Sequence, residues 1–379
     1  MMKIVGLVGW RGMVGSVLIE RMLDEKDFND IEPFFFSTSN IGGAAPIFFE
    51  DEKKLKNAMD INQLKKCDII LSCQGGTYTS EIYPILRSSG WSGFWIDAAS
   101  TLRMKEDSVI VLDPLNSSII KSKISLGIKN FIGGNCTVSC MLMALAGLFE
   151  KKLIKWINFM TYQAASGGGA KHMKELITQF GILNREVSDN LKNPSSMILD
   201  LERKIHEKQR NLLKEEVECF QVPLAGNLIP WIDSDLGNGK SREEWKSSTE
   251  ANKILEVFNT QKKTRQELIF FDGICVRVGS MRSHSMALLI KLNEDIPLDE
   301  IEDIIDSHNK WVKVIPNNYE ESIKKLTPVA VSGCLDIPIG RLRKMDFGKK
   351  YLSAFTVGDQ LLWGAAEPLR RMLRILIEI

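Results

Sequence analysis

The stretch KIVGLVGWRGMVG, residues 3–15, is the strongest indication of the fold of this chain. Residues 3–8 are a short β-branched run that predicts a strand, and residues 13–23 have the spacing of an amphipathic helix. Between them lies the pattern GxxGxxG. Glycines let such a turn tighten, and they let backbone N–H groups approach a pyrophosphate at the positive end of the helix. The stretch therefore predicts a dinucleotide-binding strand–loop–helix unit.

Strand-like and helix-like segments alternate through the first third of the chain. Further strands are predicted at 32–36, 68–72, 94–97 and 109–112, and a helix at 81–87. Strands separated by helical stretches form a parallel sheet, which needs helices on both faces. The predicted fold class is therefore α/β.

The pattern changes at Gly133, which predicts a domain boundary there. A long apolar helix is predicted at 137–149, a strand at 156–163 and an amphipathic helix at 171–180. A charged helical stretch follows at 194–218, then strand-like segments at 275–278 and 285–292. The last prediction is a helix at 357–379, with Glu367 and Pro368 near its middle.

Composition and charge exclude several classes of protein. The 379 residues carry 49 basic and 48 acidic side chains, so the net charge of +1 offers no general attraction to nucleic acid or membrane. An anionic ligand must instead be held by a few placed cations. The 7 cysteines are scattered, without CxxC or metal-ligand spacing. This pattern predicts a reduced, cytoplasmic protein without a metal site.

The residues after the second predicted strand bear on the choice of cofactor. Ser37, Thr38 and Ser39 stand where an NAD enzyme often has an acidic residue that holds the ribose 2′-hydroxyl. Hydroxyl groups and the guanidinium of Arg11 suit a 2′-phosphate, which a carboxylate would repel. We therefore expect NADP. The alternatives are that these hydroxyls form an ordinary loop and that the glycines serve only a tight turn.

Cys136 is the candidate nucleophile. It follows Gly133-Gly-Asn135 and directly precedes the predicted apolar helix. A thiol at a helix N-terminus meets the positive end of the dipole, which favours the thiolate, and nearby N–H groups can hold an oxyanion. The competing interpretation is a small buried hydrophobic residue, as expected for Cys67, Cys73 and Cys275. From the residues alone, both interpretations stay open.

A thiolate nucleophile needs an acid or base partner, and the chain has 4 histidines. His206 and His308 lie in charged, helix-like stretches and are expected to face solvent. His172 stands at a helix start after a glycine-rich turn. His284 lies between two predicted strands beside cationic residues. That position makes His284 the better candidate, with His172 as the alternative.

Longer blocks of sequence carry a resemblance to a known family. They are GWRGMVGSVL (9–18), CQGG (73–76), DAAS (97–100), GGNCTVS (133–139), YQAASGGGA (162–170), PLAGNLIPWID (223–233), SREEWK (241–246), CVRVGSMRSHS (275–285) and GDQLLWGAAEPLRRML (358–373). In this order, along nearly the whole chain, they resemble the aspartate-β-semialdehyde dehydrogenases of Gram-negative bacteria.

The resemblance implies a fold and a reaction. A Rossmann-type NADP-binding domain, here 1–133 plus 357–379, would be joined to a second α/β (α+β) catalytic and dimerisation domain, here 134–356. The protein would be a homodimer. It would reduce L-aspartyl-4-phosphate with NADPH to L-aspartate-4-semialdehyde and phosphate through a cysteine thioester. The reaction leads towards lysine (through diaminopimelate), threonine and methionine.

The resemblance also implies roles at matching positions. Cys136 matches the nucleophile, Gln163 the residue that orients the substrate, and His284 the general acid/base. Thr38 matches a contact to the 2′-phosphate and Gln360 a residue near the nicotinamide. The implied cofactor-binding residues together are Gly9, Arg11, Gly12, Met13, Val14, Ser37, Thr38, Gln74 and Gln360.

Four charged residues match positions that bind the substrate. Arg277 matches the residue that pairs with the α-carboxylate, for which the planar guanidinium fork is suited. Glu243 matches the residue that faces the α-amino group. Arg103 and Lys246 match the cations that bind phosphate. In a chain of almost no net charge, such local placement is the electrostatic route to an anionic substrate.

Two other functions compete with this interpretation. One is another thioester-forming dehydrogenase, such as an N-acetylglutamyl-phosphate reductase or a glyceraldehyde-phosphate dehydrogenase. An acylated amine in its substrate carries no positive charge, so Glu243 would have no ammonium group to face. The other is a non-catalytic dinucleotide-binding protein, which has no need to keep Cys136, Gln163, Arg277 and His284 together.

Overall fold

The computed structural model describes residues 2–46, 54–258, 269–346 and 348–379. The first of its sheets has seven strands, all parallel, in the order β3-β2-β1-β4-β5-β7-β6. The strands are β1 (Lys3–Val8), β2 (Ile31–Ser37), β3 (Lys56–Asn57), β4 (Ile69–Ser72), β5 (Phe94–Asp97), β6 (Ser108–Val111) and β7 (Asn130–Gly133). The predicted parallel α/β sheet is confirmed.

The second sheet is mixed and also has seven strands, in the order β12-β13-β14-β11-β8-β10-β9. Its β8–β10 and β12–β13 pairs are parallel and the others antiparallel. The strands are β8 (Ile154–Gln163), β9 (Leu228–Ile229), β10 (Phe270–Val278), β11 (His284–Leu292), β12 (Val312–Val314), β13 (Ile337–Met345) and β14 (Gly348–Gly358).

Helices connect and cover both sheets. Those of the first part are α1 (Met13–Asp24), α2 (Ile61–Leu64), α3 (Gly76–Ser88) and α4 (Asp113–Ser125). They are followed by α5 (Cys136–Ala144), α6 (Ala146–Glu150), α7 (Ala170–Lys192), α8 (Ile198–Arg210), α9 (Arg242–Ile254), α10 (Leu298–His308), α11 (Tyr319–Lys325), α12 (Pro328–Val331) and α13 (Glu367–Ile377). In the described ranges, no helix combines the length and apolar character of a membrane span.

The first sheet is buried on both faces because its residues alternate between two cores. Ile69 and Leu71 belong to one apolar cluster, whereas Ile70, between them, belongs to another. The first cluster also contains Leu369 and Leu373 of α13, which lies against α1. The carboxyl-terminal helix thus returns to cover the amino-terminal sheet.

The apolar stretch after Gly133 forms two helices where one was predicted. α5 ends at Ala144, and Leu145 takes φ −111° and ψ 11° before α6 begins. Apolar periodicity cannot show such a break, because both helices are buried in the same core. The other predicted helices exist with different bounds: 81–87 lies within α3, 171–180 within α7, and 194–218 contains α8 and a short 3₁₀ turn, Lys214–Glu216.

The helix predicted at 357–379 is wrong in its first half. Val357 and Gly358 end strand β14, and a π-helical turn, Leu362–Ala366, precedes α13. Glu367 and Pro368 open α13 and do not lie at a helix centre. Proline fits there because the first N–H groups of a helix have no intrahelical partner. Strand, turn and helix are all apolar here, so composition conceals their boundaries.

Candidate active site

The loop between β1 and α1 requires glycine. Gly9 has φ +74°, and a Cβ at this position would lie 2.5 Å from the backbone of Cys73. A Cβ at Gly15 would lie 2.3 Å from the carbonyl oxygen of Gly9. The loop is therefore pressed against the end of β4, where the carboxyl ends of parallel strands form a nucleotide-binding edge.

The first turn of α1 presents backbone donors at this edge. Gly12 is the N-cap, and Met13 and Val14 begin the helix without an acidic residue in the first turn. Their N–H groups have no intrahelical acceptor, and the helix dipole places positive potential beside them. The side chains of Met13 and Val14 pack against the core, which fixes the turn. This geometry suits a pyrophosphate.

The predicted 2′-phosphate contacts lie together. Arg11 donates hydrogen bonds to the hydroxyls of Ser37 and Ser39, both at 3.1 Å. Gln74 Nε2 donates to Thr38 Oγ1 at 3.4 Å. A guanidinium among hydroxyl groups can bind a doubly charged phosphate through charge-assisted hydrogen bonds.

Replacing Arg11 with alanine should reduce the preference for NADP over NAD about 10- to 100-fold, because a hydrogen bond to a charged group contributes about 1.5–3 kcal/mol. Equilibrium titration of the intact protein with each dinucleotide measures this preference. Ser39→Ala is the matched control, since it removes one hydroxyl and keeps the cation. An unchanged preference in Arg11→Ala would contradict the assignment.

Sheet register brings three predicted site residues to one edge. Arg277 of β10 pairs with Gln163, the last residue of β8. His284, the first residue of β11, pairs with Gly358 at the end of β14. The N-terminus of α5 meets the same edge, with Cys136 Sγ 3.4 Å from His284 Nε2.

Cys136 is the first residue of α5 and is held on two sides. The side chain of Asn135 caps the helix by accepting from the N–H groups of Thr137 (2.9 Å) and Val138 (3.1 Å). A Cβ at Gly364 would lie 2.7 Å from Cys136 Cβ, so the π-helical turn packs directly on the cysteine. The residue remains partly exposed.

Burial, and next the negative charge of Glu243, raise the pKa of the Cys136 thiol to about 11. A hydrogen bond with Thr137 and the charges of Arg277 and Arg103 act in the opposite direction. Burial and Glu243 thus oppose the effect of the helix terminus, and a pKa raised in this way favours the thiol in the ligand-free protein.

Alkylation of Cys136 by iodoacetamide should accelerate from neutral to alkaline pH by about tenfold per pH unit, since only the thiolate reacts and its pKa is high. Glu243→Gln should increase the rate at a given pH, because it removes the charge that raises this pKa. Peptide mass spectrometry measures the rate, with the exposed Cys334 as internal reference. A rate that is level across neutral pH would contradict the raised pKa.

His284 is fully buried, and its Nδ1 accepts from the N–H of Ala164 at 3.1 Å. Burial, followed by the positive charge of Arg277, lowers the pKa of His284 to about 3. A neutral imidazole whose Nδ1 accepts carries its proton on Nε2. We assign this tautomer from the hydrogen bonds. The Nε2–H group then points at the sulfur of Cys136.

The other histidines lie elsewhere. His172 packs edge-on against Phe220, with ring centroids 4.8 Å apart. His206 is exposed as predicted and pairs with Glu202. The solvent-facing prediction for His308 is wrong, because its side chain is only 9% exposed. Of the two candidates, the structure therefore brings His284 to the cysteine.

Arg277 and His284 share a tightly packed neighbour. Arg277 is buried and donates to the carbonyl oxygen of Ala164 at 2.7 Å. A Cβ at Gly167 would lie 2.7 Å from the Arg277 guanidinium and 3.2 Å from His284 Nε2. The glycine thus lets the backbone close around both groups, which fixes a cation beside the histidine and near the sulfur.

Glu243 connects Asn135, Gln163 and Lys246 through hydrogen bonds and an ion pair. Its Oε1 accepts from Asn135 Nδ2 at 2.8 Å and from Gln163 Nε2 at 3.4 Å. Its Oε2 lies 3.5 Å from Lys246 Nζ, which also pairs with Asp233 at 2.6 Å. α9 carries Glu243 and Lys246, and Ser241 caps it with a capping box. The buried carboxylate of Glu243 therefore lies next to Asn135, which caps the helix that begins at Cys136.

Arg103 is buried and bonded through three of its nitrogens. Nε donates to the carbonyl oxygen of Gly133 (2.6 Å), and one terminal nitrogen to that of Ala98 (3.2 Å). The other terminal nitrogen pairs with Glu250 Oε1 at 3.2 Å. This cation thus lies at the end of β7, directly before the segment that leads to Cys136.

Comparisons with known proteins show which family this chain resembles. The family model of the semialdehyde dehydrogenase NAD binding domain matches residues 4–123, and the family model of the semialdehyde dehydrogenase dimerisation domain matches residues 145–363. The solved aspartate semialdehyde dehydrogenase from Francisella tularensis is 50% identical, with a TM-score of 0.93 over 100% of both chains. The chain belongs to the semialdehyde dehydrogenase family.

More distant solved structures share the fold of this semialdehyde dehydrogenase. Aspartate semialdehyde dehydrogenase II from Vibrio cholerae, complexed with ASA, is 22% identical with a TM-score of 0.78, over 100% of this chain and 99% of that one. Aspartate semialdehyde dehydrogenase from Candida albicans, solved with NADP, is 16% identical with a TM-score of 0.65, over 99% and 98%. The architecture therefore persists at low identity.

Some site residues of this semialdehyde dehydrogenase lie outside the sequence prediction. Asn135 and Glu250 contact the predicted residues, as does Asp233. The position of Asn135 before an apolar helix is a capping signal, and Glu250, two turns after Glu243, shares its helix face. Asp233 gives no such signal. Gln360 is buried and donates to Ser166 Oγ at 2.8 Å.

Proposed function

We infer that this semialdehyde dehydrogenase reduces L-aspartyl-4-phosphate with NADPH to L-aspartate-4-semialdehyde and phosphate, through a thioester on Cys136. The observation that carries this inference is the contact of Cys136 Sγ with His284 Nε2 at 3.4 Å. Full-length identity of 50% to an aspartate semialdehyde dehydrogenase supports the substrate. The reaction belongs to the biosynthesis of lysine, threonine and methionine.

The amino-terminal sheet fits NADP. The glycine loop at Gly9 leaves no room for a Cβ, and the first turn of α1 offers N–H groups to a pyrophosphate. Arg11 would hold the 2′-phosphate together with Ser37 and Thr38. Gln360 would lie near the nicotinamide. When bound, NADPH supplies the hydride that reduces a thioester to the level of an aldehyde.

The substrate amino acid would be held by opposite charges. Arg277 is buried and offers a planar donor pair to the α-carboxylate. Glu243 faces the α-ammonium group from α9, and Gln163 orients the carbonyl carbon beside the sulfur. Because all three side chains are buried, each charge acts at low effective dielectric constant.

The phosphate end would lie between Arg103 and Lys246. Both cations are already held by carboxylates: Arg103 by Glu250, and Lys246 by Asp233 and Glu243. Such pairs keep the cations in place before substrate arrives, which limits the entropy lost on binding.

Attack by Cys136 forms the carbon–sulfur bond and breaks the bond from carbon to the phosphate oxygen. The thiol proton leaves with the phosphate. Since Cys136 rests as a thiol, deprotonation belongs to the step in which the substrate is attacked. The covalent thioester divides one difficult displacement into two easier steps.

His284 acts in the second step. Its Nε2–H faces the sulfur and can donate a hydrogen bond to the carbonyl oxygen that becomes negative when the thioester is reduced. As this oxyanion returns to a carbonyl, the carbon–sulfur bond breaks, the aldehyde leaves and the sulfur departs as a thiolate. One proton from solvent then restores the resting thiol, and His284 Nε2, in contact with the sulfur, can relay it.

The same proposal also predicts the domain bounds, the oligomeric state and the compartment. Residues 1–133 plus 357–379 would form the NADP domain, supported by the packing of α13 on α1. Residues 134–356 would form the catalytic and dimerisation domain. The match of 145–363 to a dimerisation domain supports a homodimer. The free cysteines of the described chain fit a cytoplasmic protein.

An assay in the oxidative direction tests the function. L-aspartate-4-semialdehyde, NADP and phosphate should together yield NADPH, and omission of phosphate should stop turnover. N-acetylglutamate semialdehyde and glyceraldehyde 3-phosphate are the comparison substrates. Faster turnover of either would assign the chain to one of the rival dehydrogenases, and no turnover of any would favour a binding protein.

A further inference from the structure

We propose that Glu250 is a positioning residue that ties the helix of the nucleophile to the phosphate-binding cation. The inference rests on the proposed function for the role of Arg103 in binding phosphate. Glu250 lies on α9 and is only 2% exposed. A carboxylate so buried is costly unless its oxygens are paired. Both of its oxygens are paired: Oε1 accepts from Arg103, and Oε2 accepts from Asn135 and, at 3.5 Å, from the same Arg103 nitrogen.

One oxygen of Glu250 holds the segment before the nucleophile. Oε2 accepts from the backbone N–H of Asn135 at 2.7 Å. Asn135 is the N-cap of α5, so Cys136 follows it directly. Glu243, two turns earlier on the same helix, accepts from the side chain of Asn135. α9 therefore holds this one residue through its backbone and its side chain.

The other oxygen of Glu250 holds Arg103. Oε1 accepts from a terminal guanidinium nitrogen at 3.2 Å. Lys253, on the next turn of α9, donates to the carbonyl oxygens of Arg103 (2.6 Å) and Lys105 (2.8 Å). Helix α9 thus binds Arg103 at both its side chain and its backbone. Glu250 is the group that joins this connection to the connection at Asn135.

Glu250 therefore fixes the position of the Cys136 sulfur relative to the phosphate site at Arg103. The carbon under attack must lie within reach of Cys136 while its phosphate lies at Arg103, and a misplacement of about 1 Å can cost about 100-fold in rate. Glu250 spans these two positions without being one of the predicted substrate contacts. Its negative charge also partly offsets that of Arg103, so its contribution to phosphate binding comes from orientation.

Two substitutions separate the connection to Asn135 from the connection to Arg103. Glu250→Gln keeps a carbonyl acceptor for Asn135 but replaces Oε1, the nearer acceptor of Arg103, with an amide NH₂. We expect a rise of about 5- to 20-fold in KM for phosphate, with kcat and KM for the semialdehyde nearly unchanged. Glu250→Ala removes the hydrogen bonds to both Asn135 and Arg103, and it should also lower kcat about tenfold or more.

Hydrogen–deuterium exchange of the ligand-free protein gives a readout that is independent of activity. The peptide that contains Asn135 should exchange faster in Glu250→Ala and as in wild type in Glu250→Gln. Glu256→Gln, which removes a charge from the partly exposed turn after α9, is the matched control and should change neither readout.

Three results would overturn the proposal. They are an unchanged or lowered KM for phosphate in Glu250→Gln, wild-type exchange at Asn135 in Glu250→Ala, and equal effects of Glu250→Gln and Glu256→Gln. A wild-type protein that turns over without phosphate would refute the proposed function instead. The exchange data would then still decide whether Glu250 holds Asn135.

Discussion

Replacement of Cys136 with serine is expected to lower kcat/KM by about four orders of magnitude or more, as for other covalent nucleophiles. The hydroxyl is a much weaker nucleophile than sulfur, and this site adds no neighbour that would activate it. His284 is neutral with its proton on Nε2, so it cannot remove a hydroxyl proton at rest. Steady-state formation of NADPH with saturating phosphate measures the loss.

Cys334→Ser is the control for this substitution, because Cys334 is exposed. It should retain wild-type kcat/KM. Binding of NADP to Cys136→Ser should also be unchanged, since Arg11 and the glycine loop lie on the other sheet. Activity of Cys136→Ser within about tenfold of wild type would mean that the sulfur forms no covalent intermediate.

Replacement of His284 with asparagine is expected to lower kcat by about 100- to 10,000-fold, the usual contribution of a general acid/base. The amide of asparagine cannot relay the proton that restores the Cys136 thiol after the aldehyde leaves. Because the pKa of His284 is lowered to about 3, protonation of this residue should cause no loss of wild-type activity between neutral and moderately acidic pH. The pH profile of kcat measures this second expectation.

His172→Gln is the matched control, since His172 was the alternative acid/base and lies against Phe220. Its kcat should remain within about tenfold of wild type. If His172→Gln showed the larger loss, the assignment of His284 would be wrong. A wild-type profile that falls as an ordinary histidine is protonated would contradict the neutral tautomer.

Local patterns predicted the parts of the site that depend on neighbouring residues. The glycine loop follows from strand, turn and helix in one short stretch, and the structure shows why a Cβ at Gly9 or Gly15 would collide with backbone. The position of Cys136 at the start of a buried helix was likewise visible, because the Gly-Gly-Asn sequence precedes an apolar run.

The charge state of the nucleophile could not be predicted in this way. The helix terminus is local and favours the thiolate, whereas the burial that raises the pKa of Cys136 comes from distant segments. Gly364, packed on Cys136, and Glu243 are both more than a hundred residues away in the chain. Only the tertiary structure shows that they enclose the sulfur, so local sequence patterns indicate just one of the two opposing effects on the pKa of Cys136.

The choice between His172 and His284 also needed the sheet. Both follow turns rich in small residues, and neither neighbourhood shows which ring reaches Cys136. The pairing of β11 with β14 places His284 opposite Gly358 and fixes the ring at the sulfur. The predicted helix 357–379 failed for a related reason, since a buried strand and a buried helix are both continuously apolar.

A thioester on Cys136 changes the mass of the peptide that contains this residue, so mass spectrometry can detect it. The protein is mixed with L-aspartate-4-semialdehyde and NADP without phosphate, quenched in acid and digested. We predict an aspartyl adduct on the peptide that contains Cys136, and its loss when phosphate is added before the quench. A burst of NADPH without any adduct, or an adduct on another cysteine, would exclude a thioester intermediate on Cys136.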